Sequence, residues 1–316
     1  MTVRYDEIGN RLRAFRLGTD LSAEEIALRL GISRTALYRF EKGELVKIET
    51  LERLAELLDV SIATLLGVGI EYISSAVSYF ERIRQIELTT EHIHVLAGPL
   101  PSLLASDHFL TALPEVLIES VPDRAPNRAR TLEDVSKLME ILQQRRQVYL
   151  QRHPTIVSLI SEPEIDRFLH YGVVGCSGLP VRVVEKRRAI ARAEVEHLAT
   201  LIEEQPIGVQ MGVVMESLPH SGFHIFRQPD KKMLALSPFR LVPNVRAGVA
   251  MITSAPEALT LHERMVNEMW NRALKGASAA NYLRRLIAAE GLAATRSPTN
   301  AAAPREKHRG RKRRRR

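Results

Sequence analysis

The segment that most constrains the fold is residues 19–43, which carries the signals of two helices joined by a tight turn. Ser22 can cap the first helix, and Glu25, three residues later, can complete a capping box. Gly31 follows where the turn needs a left-handed backbone, which a residue with a Cβ adopts only at a cost. Ser33 can then cap a second helix. The segment therefore predicts two helices at helix-turn-helix spacing.

The apolar pattern of this segment predicts which side of each helix is buried. Small or apolar residues recur at helical spacing and form the expected core of the motif: Ile26, Ala27, Leu30, Gly31, Leu37 and Phe40. The small Ala27 allows the second helix to cross close to the first. The other side chains of helix 34–41 point outward, where a solvated charged face is the ordinary alternative. The combined turn signals favour a helix that enters the major groove of DNA.

The outward side chains of the second helix predict two kinds of DNA contact. Arginine can make a two-pronged contact with guanine O6 and N7. The expected base contacts are Arg34, Thr35 and Arg39. The expected phosphate contacts are Ser33, Tyr38 and Lys42. Three arginines of the preceding helix are expected to lie mostly outward and to be able to touch the DNA backbone: Arg11, Arg13 and Arg16.

Residues 8–66 resemble the DNA-binding domain of the Cro/cI-type (XRE) repressor family, a lambda-repressor-like bundle of five helices. The matching stretches are IGNRLRAFR, LSAEEIALRLGISRTALYRFEKGE and TLERLAELLDVSIATLL. The resemblance implies a transcriptional regulator that binds double-stranded DNA. Two positions depart from the family's pattern: Ala23 stands where many members carry a DNA-anchoring Gln, and Lys47 stands where Ser or Thr more often caps helix four. Because one motif covers a short half-site, we expect a homodimer.

The net charge of +8 is confined to the end of the chain. Residues 305–316 hold nine Lys or Arg and one Glu, which leaves 36 basic and 36 acidic residues elsewhere. The DNA affinity of the body must therefore come from a local face. The tail is either an electrostatic arm that binds nucleic-acid phosphates nonspecifically or a solubilising terminus. Its basic run is Arg311, Lys312, Arg313, Arg314, Arg315 and Arg316.

Composition also bears on the compartment. The chain has no apolar run of about 18 residues or more, and its start lacks the apolar centre of a signal peptide. We therefore expect no membrane span and a cytoplasmic protein. The single cysteine, Cys176, excludes an internal disulfide. Cys176 is either a redox sensor or a buried structural residue, and we favour the buried residue.

The rest of the chain predicts an α/β domain. Residues 70–90 predict one longer helix, which is either a linker between two protomers or the first helix of the second domain, and we favour the second. Helical patterns are found at 102–120, 131–152, 163–171, 186–204, 256–275 and 278–290. Strand patterns are found at 92–98, 155–161, 207–215, 222–227, 232–238 and 247–253. Helices first alternate with strands and strands then follow one another, so we expect a mixed sheet.

Three regions result. Residues 1–69 are expected to form the all-α helix-turn-helix domain, and residues 70–290 an α/β effector, sensor or dimerisation domain. Residues 291–316 are expected to be a disordered, Arg-rich tail. The last hundred residues are also similar in layout to a poorly characterised effector domain that follows this helix-turn-helix in many regulators. The similar stretches are RAEVEHLATLIE, IGVQMGVV, SLPHSGFHIFR and the helix after APEALTLHERM. The similarity implies sensing of an unidentified small-molecule ligand or binding of a partner.

Motifs of enzyme chemistry are absent from the sequence. It contains no P-loop, no GxGxxG, no GxSxG and no paired-cysteine zinc site, and it lacks the His-x-Lys-x4-Asp motif of phospholipase-D-like enzymes. We therefore expect no enzymatic activity, no cofactor and no metal. His92 and His94 alternate on one strand and share a face, but no carboxylate or cysteine stands near them in sequence. His220 and His224 are equally ambiguous.

Two other classes of function remain open at this stage. The helix-turn-helix could be an adaptor for a protein or RNA partner, with the activity in the larger domain. An enzyme ranks third, and a cluster of polar residues in a pocket of residues 70–290 would favour it.

Overall fold

The computed structural model describes residues 4–44, 46–96, 98–125, 127–218, 222–240 and 248–296, with side chains through residue 291. The predictions for His220 and for the basic run of the tail lie outside these residues. Within them an N-terminal helical region precedes an α/β domain with a mixed sheet, as the sequence predicted. No helix in the described part of the chain is long and apolar enough to cross a membrane.

The described N-terminal residues form a five-helix bundle. Its helices are α1 (Tyr5–Leu17), α2 (Ala23–Leu30), α3 (Arg34–Glu41), α4 (Ile48–Leu57) and α5 (Ile62–Leu66). Serine side chains cap three of these helices: Ser22 caps α2 and Ser33 caps α3, as the sequence predicted, and Ser61 caps α5. Lys47 precedes α4 and provides no side-chain cap. The bundle packs around side chains that are almost fully buried: Leu12, Ile26, Leu37, Leu54 and Leu65.

The second domain begins with strand β1 (Ile70–Ile73) and helix α6 (Ala76–Glu87). Its first half continues with β2 (His92–Leu96), a 3₁₀ turn (Ser102–Leu104), α7 (Asp107–Glu119), α8 (Arg128–Arg152), β3 (Thr155–Ser161), α9 (Glu162–Tyr171) and α10 (Val181–Glu204). Its second half contains β4 (Val209–Val214), β5 (Gly222–Arg227), β6 (Lys232–Ser237), β7 (Ala250–Thr253), α11 (Pro256–Arg272), β8 (Leu274–Lys275) and α12 (Gly276–Arg296).

Among the described residues the strands form one eight-stranded sheet in the order β1-β7-β6-β5-β2-β3-β4-β8. Strands β2, β3 and β4 are parallel, and helical crossovers connect them, as parallel neighbours require. The remaining pairs are antiparallel. The turn at residues 228–230 joins β5 to β6 in a hairpin. The parallel and antiparallel parts of the sheet therefore meet at β2.

Helices cover both faces of the sheet. Helix α11 packs on one face through Leu259, Val266 and Met269. The opposite face shares its apolar cluster with α6, α8 and α10, and this cluster continues into the core of the N-terminal bundle. Helices α1 and α6 pack against each other at this junction. The two parts of the chain therefore share a buried interface.

Residues 70–90 do not form one helix, so the prediction of a single helix at the start of the second domain is wrong in its first part. Residues 70–73 form the edge strand β1, which pairs antiparallel with β7, and Ser75 then caps α6. Burial alternates along β1, and Tyr72 is 54% exposed. The cause is distant in sequence, because the partner strand lies about 180 residues later.

Three further expectations are corrected. Helix α12 runs through Arg296, so residues 291–296 are helical where disorder was expected. Cys176 is exposed, because it lies in the loop between α9 and α10 at the surface. The pattern at 102–120 is divided, because Ser106 caps a helix that starts at Asp107.

Candidate nucleic-acid interface

The turn between α2 and α3 fixes the orientation of α3. Ser22 Oγ accepts a hydrogen bond from the Glu25 amide at 3.2 Å, and Glu25 Oε2 accepts one from the Ser22 amide at 2.7 Å. These hydrogen bonds hold the pKa of Glu25 below its ordinary value. Gly31 adopts the left-handed conformation, with φ of 69°, that the sharp turn needs. Ser33 Oγ then accepts a hydrogen bond from the Ala36 amide at 3.1 Å and starts α3.

The predicted core of the motif is largely confirmed. Four of its side chains are buried: Ile26, Ala27, Leu30 and Leu37. Phe40 is only partly buried and packs on the edge of the core. Gly31 is exposed, because it forms the turn itself. These contacts set which side of α3 faces the solvent.

The side chains predicted to contact DNA lie on or beside the open side of α3. Five of them are exposed: Ser33, Arg34, Thr35, Arg39 and Lys42. Tyr38 is half-buried, and its ring lies 5.2 Å from the Arg34 guanidinium carbon and 5.6 Å from that of Arg16. Arg34 Nε donates a hydrogen bond to Tyr38 Oη at 3.0 Å. The structure therefore brings the predicted residues to one surface, with Tyr38 packed between two arginines.

The two arginines predicted to read bases already have acidic neighbours. Arg34 Nη1 forms an ion pair with Glu24, and Arg39 Nε donates to Glu44 Oε2 at 2.6 Å. The hydrogen bond to Glu44 raises the pKa of Arg39, so Arg39 stays positively charged. Exposed ion pairs contribute little to stability. DNA can therefore replace these carboxylates at small cost.

The charge of the N-terminal region also has to be reconciled with DNA binding. Residues 1–66 contain ten Lys or Arg and eleven Asp or Glu, a formal charge of −1. General attraction to phosphates is therefore weak for this region, since that attraction depends on released counterions. Any affinity of the bundle must come from the local placement of Arg34, Arg39 and Lys42.

Two of the three arginines of α1 do not lie where the sequence predicted. Arg11 is 5% exposed, and its Nε donates to Glu71 Oε1 at 2.8 Å. Arg16 is largely buried and pairs with Glu41 of α3. Arg13 is 47% exposed, 3.4 Å from a carboxylate oxygen of Glu81. The expectation that these arginines lie mostly outward therefore holds for Arg13 and is wrong for Arg11 and Arg16, which pair with Glu71 and Glu41.

Sequence reasoning missed the group that joins the two domains. Glu71 accepts hydrogen bonds from Arg11 and also from Arg82 Nε and Nη2, at 2.8 and 2.9 Å. Gln85 Nε2 adds a hydrogen bond to the Asn10 carbonyl at 2.9 Å. Burial opposes ionisation of Glu71, but Arg82 and Arg11 outweigh it and hold its pKa below its ordinary value. We call Arg11, Glu71 and Arg82 the junction triad.

The two histidines of β2 lie beside an ion pair between β6 and α11. His92 and His94 lie on the same face of β2, beside the ion pair of Lys232 with Glu263. Burial lowers the pKa of His94. Within the described residues no group of three or more His, Cys, Asp or Glu side chains could hold a metal ion.

Comparison with known proteins identifies the first region. A protein-family model described as a helix-turn-helix domain matches residues 7–66. These residues therefore form a helix-turn-helix domain, and this domain supports DNA as a partner of the chain. The match is consistent with the XRE-type resemblance and leaves the larger domain uncharacterised.

Among solved structures the chain is similar to TrmBL2, described as an archaeal chromatin protein whose structure shows a novel mode of DNA binding. The identity is 9% and the TM-score 0.29, over 72% of this chain and 61% of that chain. A likeness at this level carries no argument about fold or function. No curated protein matches the sequence.

Proposed function

We propose that this chain is a sequence-specific, DNA-binding transcriptional regulator that inserts α3 into the major groove. The observation that carries the proposal is the open surface of α3, where Arg34, Thr35 and Arg39 project from a helix that Ser33 caps. Helix-turn-helix proteins present the second helix of the motif to base edges in this way.

Each residue has a defined role in this proposal. Arg34 and Arg39 exchange their carboxylate partners for guanine edges, and Thr35 contacts a neighbouring base. Ser33, Tyr38 and Lys42 bind phosphates on either side and so position α3 in the groove. Tyr38 is suited to this because its packed ring keeps the hydroxyl at the surface.

The regulator acts as a homodimer in the cytoplasm, and it is not an enzyme. One helix-turn-helix reads a short half-site, so two copies on a near-palindromic operator supply the affinity and specificity. The α/β domain senses a small molecule or mediates oligomerisation, and its interface with α1 supports a role in controlling the DNA-binding domain.

The test is selection of genomic DNA fragments by the purified full-length protein at near-physiological salt. The expected result is enrichment of an inverted repeat. Deleting residues 305–316 should weaken binding to all sequences alike and should reduce the salt dependence, while the same repeat is still selected. If a folded protein enriches no sequence, α3 is not the DNA reader and the adaptor function replaces the proposal.

A further inference from the structure

Two adjoining cavities lie at the carboxyl end of β2, where the parallel and antiparallel parts of the sheet meet. The inner cavity has a volume of about 70 Å³ and the outer one about 220 Å³. Pro99 and Arg240 line both cavities. The edge of an open sheet at which the strand arrangement changes is a common place for ligands in α/β folds. We call the two spaces together the β2 pocket.

The inner cavity combines aromatic walls with uncharged polar groups. Phe80, Phe109 and Phe239 line it together with Tyr79 and His224. Burial raises the pKa of Tyr79 to about 12 and lowers the pKa of His224 to about 3, so both are neutral at ordinary pH. The charged side chain of this lining, Arg240, is already paired with Glu164. The inner cavity therefore favours an uncharged polar group, since a further charge would have no counter-charge of its own.

Several buried polar atoms around the pocket lack a hydrogen-bond partner among the described residues. Tyr79 is 2% exposed, and among the described residues its Oη has no hydrogen bond of ordinary geometry, although the Ser237 hydroxyl faces it. His224 Nδ1 is likewise buried without a partner in the described part of the chain. Buried polar groups in native proteins are nearly always hydrogen-bonded, so such atoms call for a bound molecule or water.

A third such atom lies between the two cavities. Glu164 Oε1 accepts a hydrogen bond from Arg240 at 3.2 Å, whereas its Oε2 is buried and lacks a partner among the described residues. Gly98 leaves room for this oxygen, because a Cβ at that position would lie 1.3 Å from it. Glu164 can therefore accept a hydrogen bond from an N–H or O–H group at the junction of the cavities.

The outer cavity has the size and the lining for a single ring. Pro99, Phe168, Tyr171 and Val174 provide apolar surface there. An apolar cavity of about 150 Å³ holds benzene, and a space of roughly 15 Å³ already holds one water. By these measures a six-membered ring fits the outer cavity, and a small polar substituent fits the inner one.

We infer that the β2 pocket binds a small, uncharged cyclic molecule that carries an N–H or O–H donor beside an acceptor, as a primary amide does. The ring occupies the outer cavity, the donor reaches Glu164 Oε2, and the acceptor receives a hydrogen bond from Tyr79 Oη. This arrangement gives a partner to both of these atoms and brings no further charge into the inner cavity.

Helix α6 connects this pocket to the DNA-binding domain. Tyr79 and Phe80 line the pocket. Further along the same helix, Arg82 donates a hydrogen bond to Glu71 and Gln85 donates one to the backbone of α1. A shift of α6 on ligand binding therefore changes the junction triad directly. This step rests on the proposed regulatory function, whereas ligand binding itself does not.

The test uses benzamide as the probe, with the full-length protein and no DNA, measured by ligand-observed NMR titration. Benzoate, which is charged, and toluene, which has no donor, are the matched probes. Benzamide should bind saturably and at least about tenfold more tightly than either. Equal binding of the three probes, or no binding of benzamide, would overturn the assignment.

A pair of tyrosine variants completes the test. Tyr79→Phe removes only the hydroxyl that the ligand contacts, so it should weaken benzamide binding about tenfold with little change in the melting temperature. Tyr72→Phe, at an exposed tyrosine of β1, should bind benzamide as the wild type does. Unchanged binding in Tyr79→Phe would contradict the proposed contact. If benzamide binds but leaves the affinity for the selected DNA unchanged, transmission through α6 is wrong and the binding site stands.

Discussion

Arginine–glutamate pairs occur at both the surface of α3 and the α1–α6 junction, and their surroundings differ completely. On α3, the Arg39 and Glu44 side chains are 61% and 47% exposed. In the junction triad, Arg11, Glu71 and Arg82 are 4–5% exposed. The distances are similar, 2.6 Å on α3 and 2.8 Å at the junction. The chemistry is thus the same and only the access of water differs.

This comparison teaches that burial decides what an arginine can do in this chain. An exposed pair is loosely held, so its arginine is available to DNA. A buried pair has already lost its hydration, and removing one partner leaves the other charge uncompensated. The arginines of α3 can therefore recognise a ligand, whereas Arg11 and Arg82 hold two domains together.

The largest expected effect is on the junction triad. Glu71→Ala leaves two buried guanidinium groups without their carboxylate and should lower the free energy of unfolding by about 3–5 kcal/mol. Glu44→Ala, at an exposed pair, should leave that free energy unchanged. Urea unfolding of both variants measures the difference. Similar losses in the two variants would remove the distinction between the regions.

The second effect is the pH dependence of stability. Because the pKa of Glu71 lies below its ordinary value of 4.5, the unfolded chain binds this proton more readily than the folded chain. The stabilisation from Glu71 is therefore fully present above about pH 4.5 and is lost as the pH falls through the lowered pKa.

The measurement is a comparison of Glu71→Gln with the wild type by urea unfolding, from about pH 6 down to about pH 3. The variant lacks the titrating carboxyl, so the stability difference between the two proteins should shrink on acidification. A difference that stays constant over this range would mean that Glu71 does not titrate as its contacts require. Other groups titrate in both proteins and cancel in the comparison.

The smallest expected effect is the change in DNA affinity when the carboxylate of Glu44 is removed from the surface of α3. Glu44→Gln removes the carboxylate that DNA must displace from Arg39, so affinity for DNA should rise, by no more than about fivefold. Glu216→Gln, which removes the partner of the exposed Arg272 in the α/β domain, is the matched control and should not change it. A fluorescence anisotropy titration measures both. A loss of affinity in Glu44→Gln would show that this pair positions Arg39 for binding.

The helix-turn-helix could be predicted from the sequence because its determinants are local. Ser22, Glu25, Gly31 and Ser33 each act within a few residues, and the structure gives each the role that the sequence predicted. Six of the eight strands in the described sheet were predicted for a related reason, since buried strands are continuous apolar runs. The edge strands β1 and β8 were predicted as parts of helices, and the order of the strands could not be predicted, because pairing depends on distant segments.

The features that were missed depend on contacts between distant residues. Residues 70–73 have a pattern that suits a helix or a strand, and pairing with β7 decides between them. Arg11 was expected at the surface, but it is buried because it donates a hydrogen bond to Glu71, 60 residues away. The β2 pocket likewise combines side chains from α6, α9, β5 and the loops after β2 and β6, which no local pattern connects.

The most direct measurement of the central claim is the DNA affinity of Arg39→Ala and Arg272→Ala, each on the selected site and on random DNA. Both arginines are more than 60% exposed and paired with a glutamate, but only Arg39 lies on α3. Arg39→Ala should bind the selected site about 10- to 100-fold more weakly, with a much smaller change on random DNA and unchanged stability. Arg272→Ala should bind as the wild type does. Equal losses on both DNAs, or no loss in Arg39→Ala, would contradict a base-reading role for the surface of α3.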